Sequence, residues 1–152
     1  VMTEANVTLC NNNEQGMFVT LLIAIINVKT GVFQWCDAGH DPAIIWKKDG
    51  QVEMLTGKKG FVCAGIETAK YKMNESKIEK GDIIYLYTDG IPEANNTKKE
   101  FYGLERLQTL VAAQKEHDIK ALCADILADV DQFADREPQF DDITMLGFKL
   151  EE

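Results

Sequence analysis

The chain has 152 residues, 45% of them hydrophobic and 27% charged, which suits one soluble globular domain with its own core. No apolar run approaches the roughly 18 residues of a membrane span. The net charge of −9 argues against nucleic acid as a partner, because a phosphate backbone needs a basic footprint.

The acidity is uneven. Residues 1–75 carry eight acids and seven lysines, whereas residues 76–152 carry seventeen acids against nine basic residues. An acidic half suits a cation, although a solvated acidic surface also favours solubility. The four cysteines, Cys10, Cys36, Cys63 and Cys123, form no CxxC pair, and there are two histidines. That spacing argues against a thiolate zinc site, and scattered single cysteines fit a reducing cytoplasm. The apolar stretches are too short to hold the domain in a membrane.

In chain order, Thr3 to Leu9 reads as the end of a helix, and the loop "CNNNEQG" follows. "MFVTLLIAIINV", Met17 to Val28, is rich in apolar and β-branched residues and predicts a strand buried on both faces. A "KTG" turn returns it as "VFQWCDA", which makes a hairpin. The loop "AGHDP" leads to a second hairpin, "AIIWK" and "QVEML", around a Lys-Asp-Gly turn. "YKMNESKI" and "IIYLYT" read as two further strands.

Helical periodicity follows. Leu104, Leu107 and Leu110 define one helix, and Ile119, Leu122, Ile126, Val130 and Phe133 form one apolar face of a second, with Asp118 placed to cap it. "DDITMLGFKL" closes the chain as a strand. Sequential hairpins with two late helices predict an α+β fold with antiparallel sheets. No Gly-rich phosphate loop follows any strand.

Two acid clusters end on strands: Asp89 with Glu93 nearby, and the Asp141-Asp142 pair. Neighbouring carboxylates repel unless protonated or neutralised by a cation, and hard oxygens suit Mg²⁺ or Mn²⁺. Spacing alone favours turn formation or helix capping over metal ligation for such acids. His40 lies in the "AGHDP" loop, open either to a phosphate contact or to bonds within its own turn. Gly90 is read as permitting the turn after Asp89. Lys58-Lys59 could meet a phosphoprotein, but a solvated loop is the commoner case.

Four stretches add to this. "MFVTLLIAIINVKTGVFQWCDAGHDPAII", "GDIIYLYTDGIPEA", "FYGLERL" and "FDDITMLGF" together resemble the sporulation stage II protein E and sigma-B-regulator class of protein phosphatase 2C-like domains. They occur in that class's order and cover nearly the whole chain. The resemblance implies two antiparallel sheets sandwiched between helices, and hydrolysis of phosphoserine or phosphothreonine on proteins by a hydroxide bridging two Mn²⁺ or Mg²⁺ ions. It places Asp89 and Asp141 as metal ligands, with Asp142 as a further candidate, and His40 and Gly90 in a candidate substrate loop. It also implies a phosphorylated protein substrate of the anti-anti-sigma type and a sensor or receiver domain upstream.

Two acidic motifs that active members of that class carry on their first strands are absent here. With Val1 in place of Met, the expectation is one partial domain over residues 1–152 with its first strands missing. Such a piece should have low activity and should self-associate through an exposed sheet edge. The competing reading is a regulatory module that keeps the fold and binds a partner without turnover.

Overall fold

In the computed structural model, residues 1–151 are described, and they form seven strands and three helices: α1 (Met2–Asn11), β1 (Leu21–Asn27), β2 (Val32–Ala38), β3 (Ile44–Trp46), β4 (Val52–Met54), β5 (Asn74–Lys77), β6 (Ile83–Tyr87), α2 (Leu104–Ala113), α3 (Ile119–Ala134) and β7 (Met145–Lys149). The α+β class and the antiparallel pairing expected from the hairpins are both present. The chain divides into two compact units. One comprises Val1–His40 and Thr56–Ile78; the other comprises Asp41–Leu55 and the described residues from Glu79 on.

The first unit holds α1 and a three-stranded sheet of order β1-β2-β5. Leu21 to Asn27 pair with Ala38 to Val32 across a hairpin closed at Gly31, whose φ of +69° is the left-handed conformation such a turn requires. Helix α1 is pinned by Asn6, which is fully buried. Its amide donates to the Ile66 and Glu67 carbonyls at 2.9 and 3.2 Å and accepts from the Ala64 N–H at 2.9 Å. A buried amide with its groups satisfied fixes the helix to one loop and no other. Met2, Ala38 and Cys63 form the small core beside it.

One expectation is corrected here. Met17 to Val28 is not a strand buried on both faces. Regular pairing begins only at Leu21, and Met17 and Phe18 are each 66% exposed, Ile25 70%. The reason is cover: a strand's side chains are buried only where another layer packs on that face of the sheet, and Ile25 lies on a face left open among the described residues. β1 is also an edge strand, with β2 as its one neighbour in the sheet.

The second unit is built on a four-stranded antiparallel sheet of order β4-β3-β6-β7. Its core joins Ile44, Trp46, Ile83 and Tyr85 of the sheet to Leu107, Val111, Leu122, Ile126 and Val130 of α2 and α3. The apolar periodicity read in the sequence is the buried stripe of α3, and Asp118 caps that helix by accepting the Ala121 N–H at 2.7 Å. Arg106 on α2 makes two bonds to the Asp129 carboxylate on α3, at 2.8 and 2.9 Å. Tyr102 donates to the same carboxylate at 2.6 Å, and the guanidinium lies over the Tyr102 and Phe133 rings. The Arg of the "FYGLERL" stretch is therefore a clamp between two helices.

Asp82 is the acid on which the start of β6 depends. It is 1% exposed. It accepts the backbone N–H groups of Lys48 at 3.0 Å and Glu79 at 2.9 Å, and the Lys47 ammonium lies at 3.5 Å. Asp82→Ala leaves these donors without a buried acceptor and should lower stability by about 2–4 kcal/mol in urea unfolding.

The Arg106 guanidinium, with help from the Tyr102 hydroxyl, holds the Asp129 carboxyl below its usual range. A depressed folded-state pKa stabilises above the unfolded pKa, and that contribution is lost as pH falls through the folded one. The stability gap between wild type and Asp129→Asn should therefore be constant near neutrality and close below about pH 4. Thermal melts across pH 7 to about 2 measure it.

Candidate phosphatase site

Strand β6 runs through the core with Ile83, Ile84, Tyr85 and Tyr87 buried, and it pairs with β7 as far as Tyr87 opposite Met145. Thr88 continues the pairing one residue further. Its N–H donates to the Thr144 carbonyl at 3.1 Å. Its hydroxyl accepts the Thr144 N–H at 2.9 Å and donates to the Asp142 carbonyl at 2.8 Å. The side chain thus takes the place of a ladder partner where the strands part.

The chain then turns. Ile91 N–H reaches back to the Thr88 carbonyl at 3.1 Å, and Glu93 N–H to the Asp89 carbonyl at 2.9 Å. Ile91 is fully buried and anchors the turn, while Asp89 is exposed at its start. Gly90 lies against the facing loop. A Cβ there would stand 2.5 Å from the Asp142 carbonyl oxygen and 3.0 Å from that of Asp141. Its φ is not in the left-handed region. The sequence reading gave the right residue the wrong cause: glycine serves close approach of two backbones, not a special turn angle.

These contacts set the Asp89 loop and the Asp141-Asp142 loop side by side. Both acids of the pair are exposed. Asp141 Oδ1 accepts the Asp142 N–H at 2.7 Å, and the Asp141 carbonyl accepts the Gln139 amide at 2.7 Å. One Asp141 oxygen is thereby oriented by its own loop. Glu93 enters the turn through its backbone, and its side chain is exposed. Among the described residues, no three His, Cys, Asp or Glu side chains gather closely enough to hold a metal ion. The strand ends therefore bring two loops of carboxylates together and leave the ligand set short.

His40 belongs to the first unit. Its backbone N–H donates to the buried Asp37 carboxylate at 2.9 Å, its ring Nδ1 lies 3.1 Å from the Thr20 hydroxyl, and its carbonyl accepts the Lys59 ammonium at 3.2 Å. The Asp37 bond closes the turn itself, and the other two tie the loop to Thr20 and Lys59. Two residues of the second unit were missed by sequence reasoning. Thr88 was taken only as part of a motif. Tyr87, raised by burial and then by the charge of Asp41, donates to the Pro42 carbonyl at 3.0 Å and ties that loop to β6. A hydroxyl replacing a ladder bond leaves no periodic signal to find.

The family model described as Stage II sporulation protein E (SpoIIE) matches residues 1–151. The chain belongs to the SpoIIE family. Among curated relatives it is 29% identical over 139 residues to Protein IcfG of Synechocystis, covering 90% of this chain and 21% of that one. It is 29% identical over 111 residues to the phosphoserine phosphatase RsbU of Bacillus subtilis, covering 73% of this chain and 33% of that one. The chain thus spans between a fifth and a third of the length of these relatives. The solved phosphatase domain of SpoIIE from Bacillus subtilis, presoaked with Mn, superposes with a TM-score of 0.68 at 17% identity, over 87% of this chain and 56% of that one. The fold of this SpoIIE family member is that of a protein phosphatase 2C-like domain.

Thr88→Val keeps the shape and removes both hydroxyl bonds. It should cost about 1–2 kcal/mol and speed amide exchange at Thr144. Gly90→Ala should do more, because its methyl meets backbone and the loops must separate. Exchange rates at Thr144 and Asp142 that match wild type in both variants would refute this account of how the loops are joined.

Proposed function

We propose that this chain carries part of the catalytic domain of a metal-dependent serine phosphatase, with Asp89 and Asp141 as ligands to Mn²⁺ or Mg²⁺. The observation that carries it is the seating of Gly90 and Thr88 on the Asp141-Asp142 backbone, which sets exposed carboxylates at the ends of two neighbouring strands. The name of the relative RsbU and the fold shared with a Mn-soaked phosphatase domain support the same reading.

The donor chemistry fits a hard cation, since carboxylate oxygens suit Mg²⁺ and Mn²⁺. The number does not complete a site: such ions take about six oxygens. The remainder would come from water and from parts of the whole protein beyond this chain. Bound there, the ion makes a water acidic and offsets charge on the phosphoryl group. The chain's own residues act by position. The Thr88 bonds fix the spacing of the two loops, and the Asp142 N–H orients Asp141 through Oδ1, leaving Oδ2 to face a cation. Asp142 is placed as the weaker candidate, because neighbours along an extended chain point to opposite sides.

The substrate we propose is phosphoserine on a regulatory protein, of the anti-anti-sigma type, with a sensor or receiver domain elsewhere in the same protein. No helix among the described residues is long and apolar enough to cross a membrane, and the four cysteines are free thiols. We place the protein in the cytoplasm.

Asp89→Asn and Asp141→Asn in the intact protein should each cut hydrolysis of a phosphoserine peptide with Mn²⁺ by at least about a hundredfold. Asp142→Asn should cost less. Near wild-type turnover in either of the first two would sink the ligand assignment. An intact wild-type protein with no turnover would return the fold to a partner-binding role.

A further inference from the structure

The two units differ sharply in charge. The first carries six lysines against five acids; the second carries ten basic residues against twenty acids, the unit that holds Asp89 and Asp141. Cutting the sequence into halves blurs this contrast, because residues 41–55 fold with the acidic unit. Within residues 56–78, five lysines stand against Glu67 and Glu75, and the Glu75 carboxylate already accepts from Gln34 at 3.0 Å.

Four of those lysines come from two segments that run side by side. Lys58 N–H donates to Asn74 Oδ1 at 2.8 Å, and the Asn74 amide returns a bond to the Lys58 carbonyl at 3.1 Å. Gly60 packs on the Tyr71 ring, where a Cβ would stand at 2.5 Å. Lys58 and Lys59 therefore lie beside Lys70 and Lys72, and all four are exposed. The Lys59 ammonium donates to the His40 carbonyl at 3.2 Å. Phe61 and Met73, on the same two segments, are 53% and 68% exposed.

We propose that this face of the first unit docks an acidic segment of the phosphoprotein substrate. The proposal rests on the phosphatase reading and names the kind of substrate it takes. A phosphoserine protein with acidic flanks meets a chain of net charge −9 and is repelled by most of it. A local cluster of four exposed lysines gives the approach one favourable direction, and charge complementarity of this kind sets encounter rate and orientation. Phe61 and Met73 supply apolar contact suited to a protein chain, and the strongly acidic second unit disfavours a long polyanion.

The test uses fluorescence anisotropy with two labelled phosphoserine peptides, one flanked by Asp and Glu and one by Ser and Gly. At low salt, wild type should bind the acidic peptide about tenfold more tightly, and the preference should vanish near about 0.5 M salt. The variant K58E/K59E/K70E/K72E should lose the preference, and the matching Lys→Gln variant should lose most of it. In the intact protein, hydrolysis of para-nitrophenyl phosphate should be unchanged by either variant. Equal wild-type affinity for the two peptides, or an undiminished preference in the Glu variant, overturns the proposal. Displacement of the acidic peptide by polyuridylate at comparable charge concentration would also overturn it and assign the face to RNA. If the preference appears while the intact protein hydrolyses neither phosphopeptide, the docking face stands and the phosphatase reading fails.

Discussion

The second unit turns on one close approach, that of Gly90 to the carbonyls of Asp141 and Asp142. Two antiparallel strands diverge after Tyr87 and Met145, with one further backbone bond from the Thr88 N–H to the Thr144 carbonyl. What holds the divergent ends together is a threonine hydroxyl bonded on both sides and a residue with no side chain. Without them the carboxylates would sit on independent loops, each free to move away from the other. Ligand and catalytic geometry must be held to fractions of an ångström, and strands buried in a core can do that where free loops cannot. Ile91 and the mostly buried run of β6 provide the fixed end of this lever.

The same unit shows why an acid in a sequence is a weak sign of chemistry. Asp82 is buried to receive backbone N–H groups at a turn, Asp118 caps a helix, and Asp129 binds a guanidinium between two helices. Each is consumed by structure. Asp89 and Asp142 differ in being exposed with no side-chain bond to a neighbour among the described residues, on loops that the backbone forces together. A carboxylate left available at a fixed position is what cation binding requires, and the Thr88 bonds and the Gly90 packing are what fix these loops.

Charge follows the same division between fold and surface. Helices α2 and α3 turn apolar stripes to the core, and most of the second unit's twenty acids lie outside these helices, in its strands and connections. The first unit has one short helix and long connections, and its lysines gather where two connections run in parallel. A cluster of like charge on one unit orients a charged partner before contact is made.

The sequence by itself determined the elements and their kind. Period-two hairpins, the period-3.6 stripe of α3, the Asp118 cap and the ordered motifs are local or nearly local features, so the α+β class and the family were legible in them. The candidate acids at the ends of β6 and β7 were legible for the same reason. Tertiary structure alone decided the rest, because it depends on which distant segments become neighbours. The apolar run beginning at Met17 looks like an interior strand until the fold leaves Met17, Phe18 and Ile25 without a covering layer among the described residues. Gly90 looks like a turn residue until the Asp141-Asp142 backbone arrives some fifty residues later to occupy the space a Cβ would need. Residues 41–55 look continuous with the neutral half until pairing of β3 with β6 draws them into the acidic unit. Pairing across long sequence separations carries no periodic signal, and it is there that the close approach of the carboxylate loops was settled.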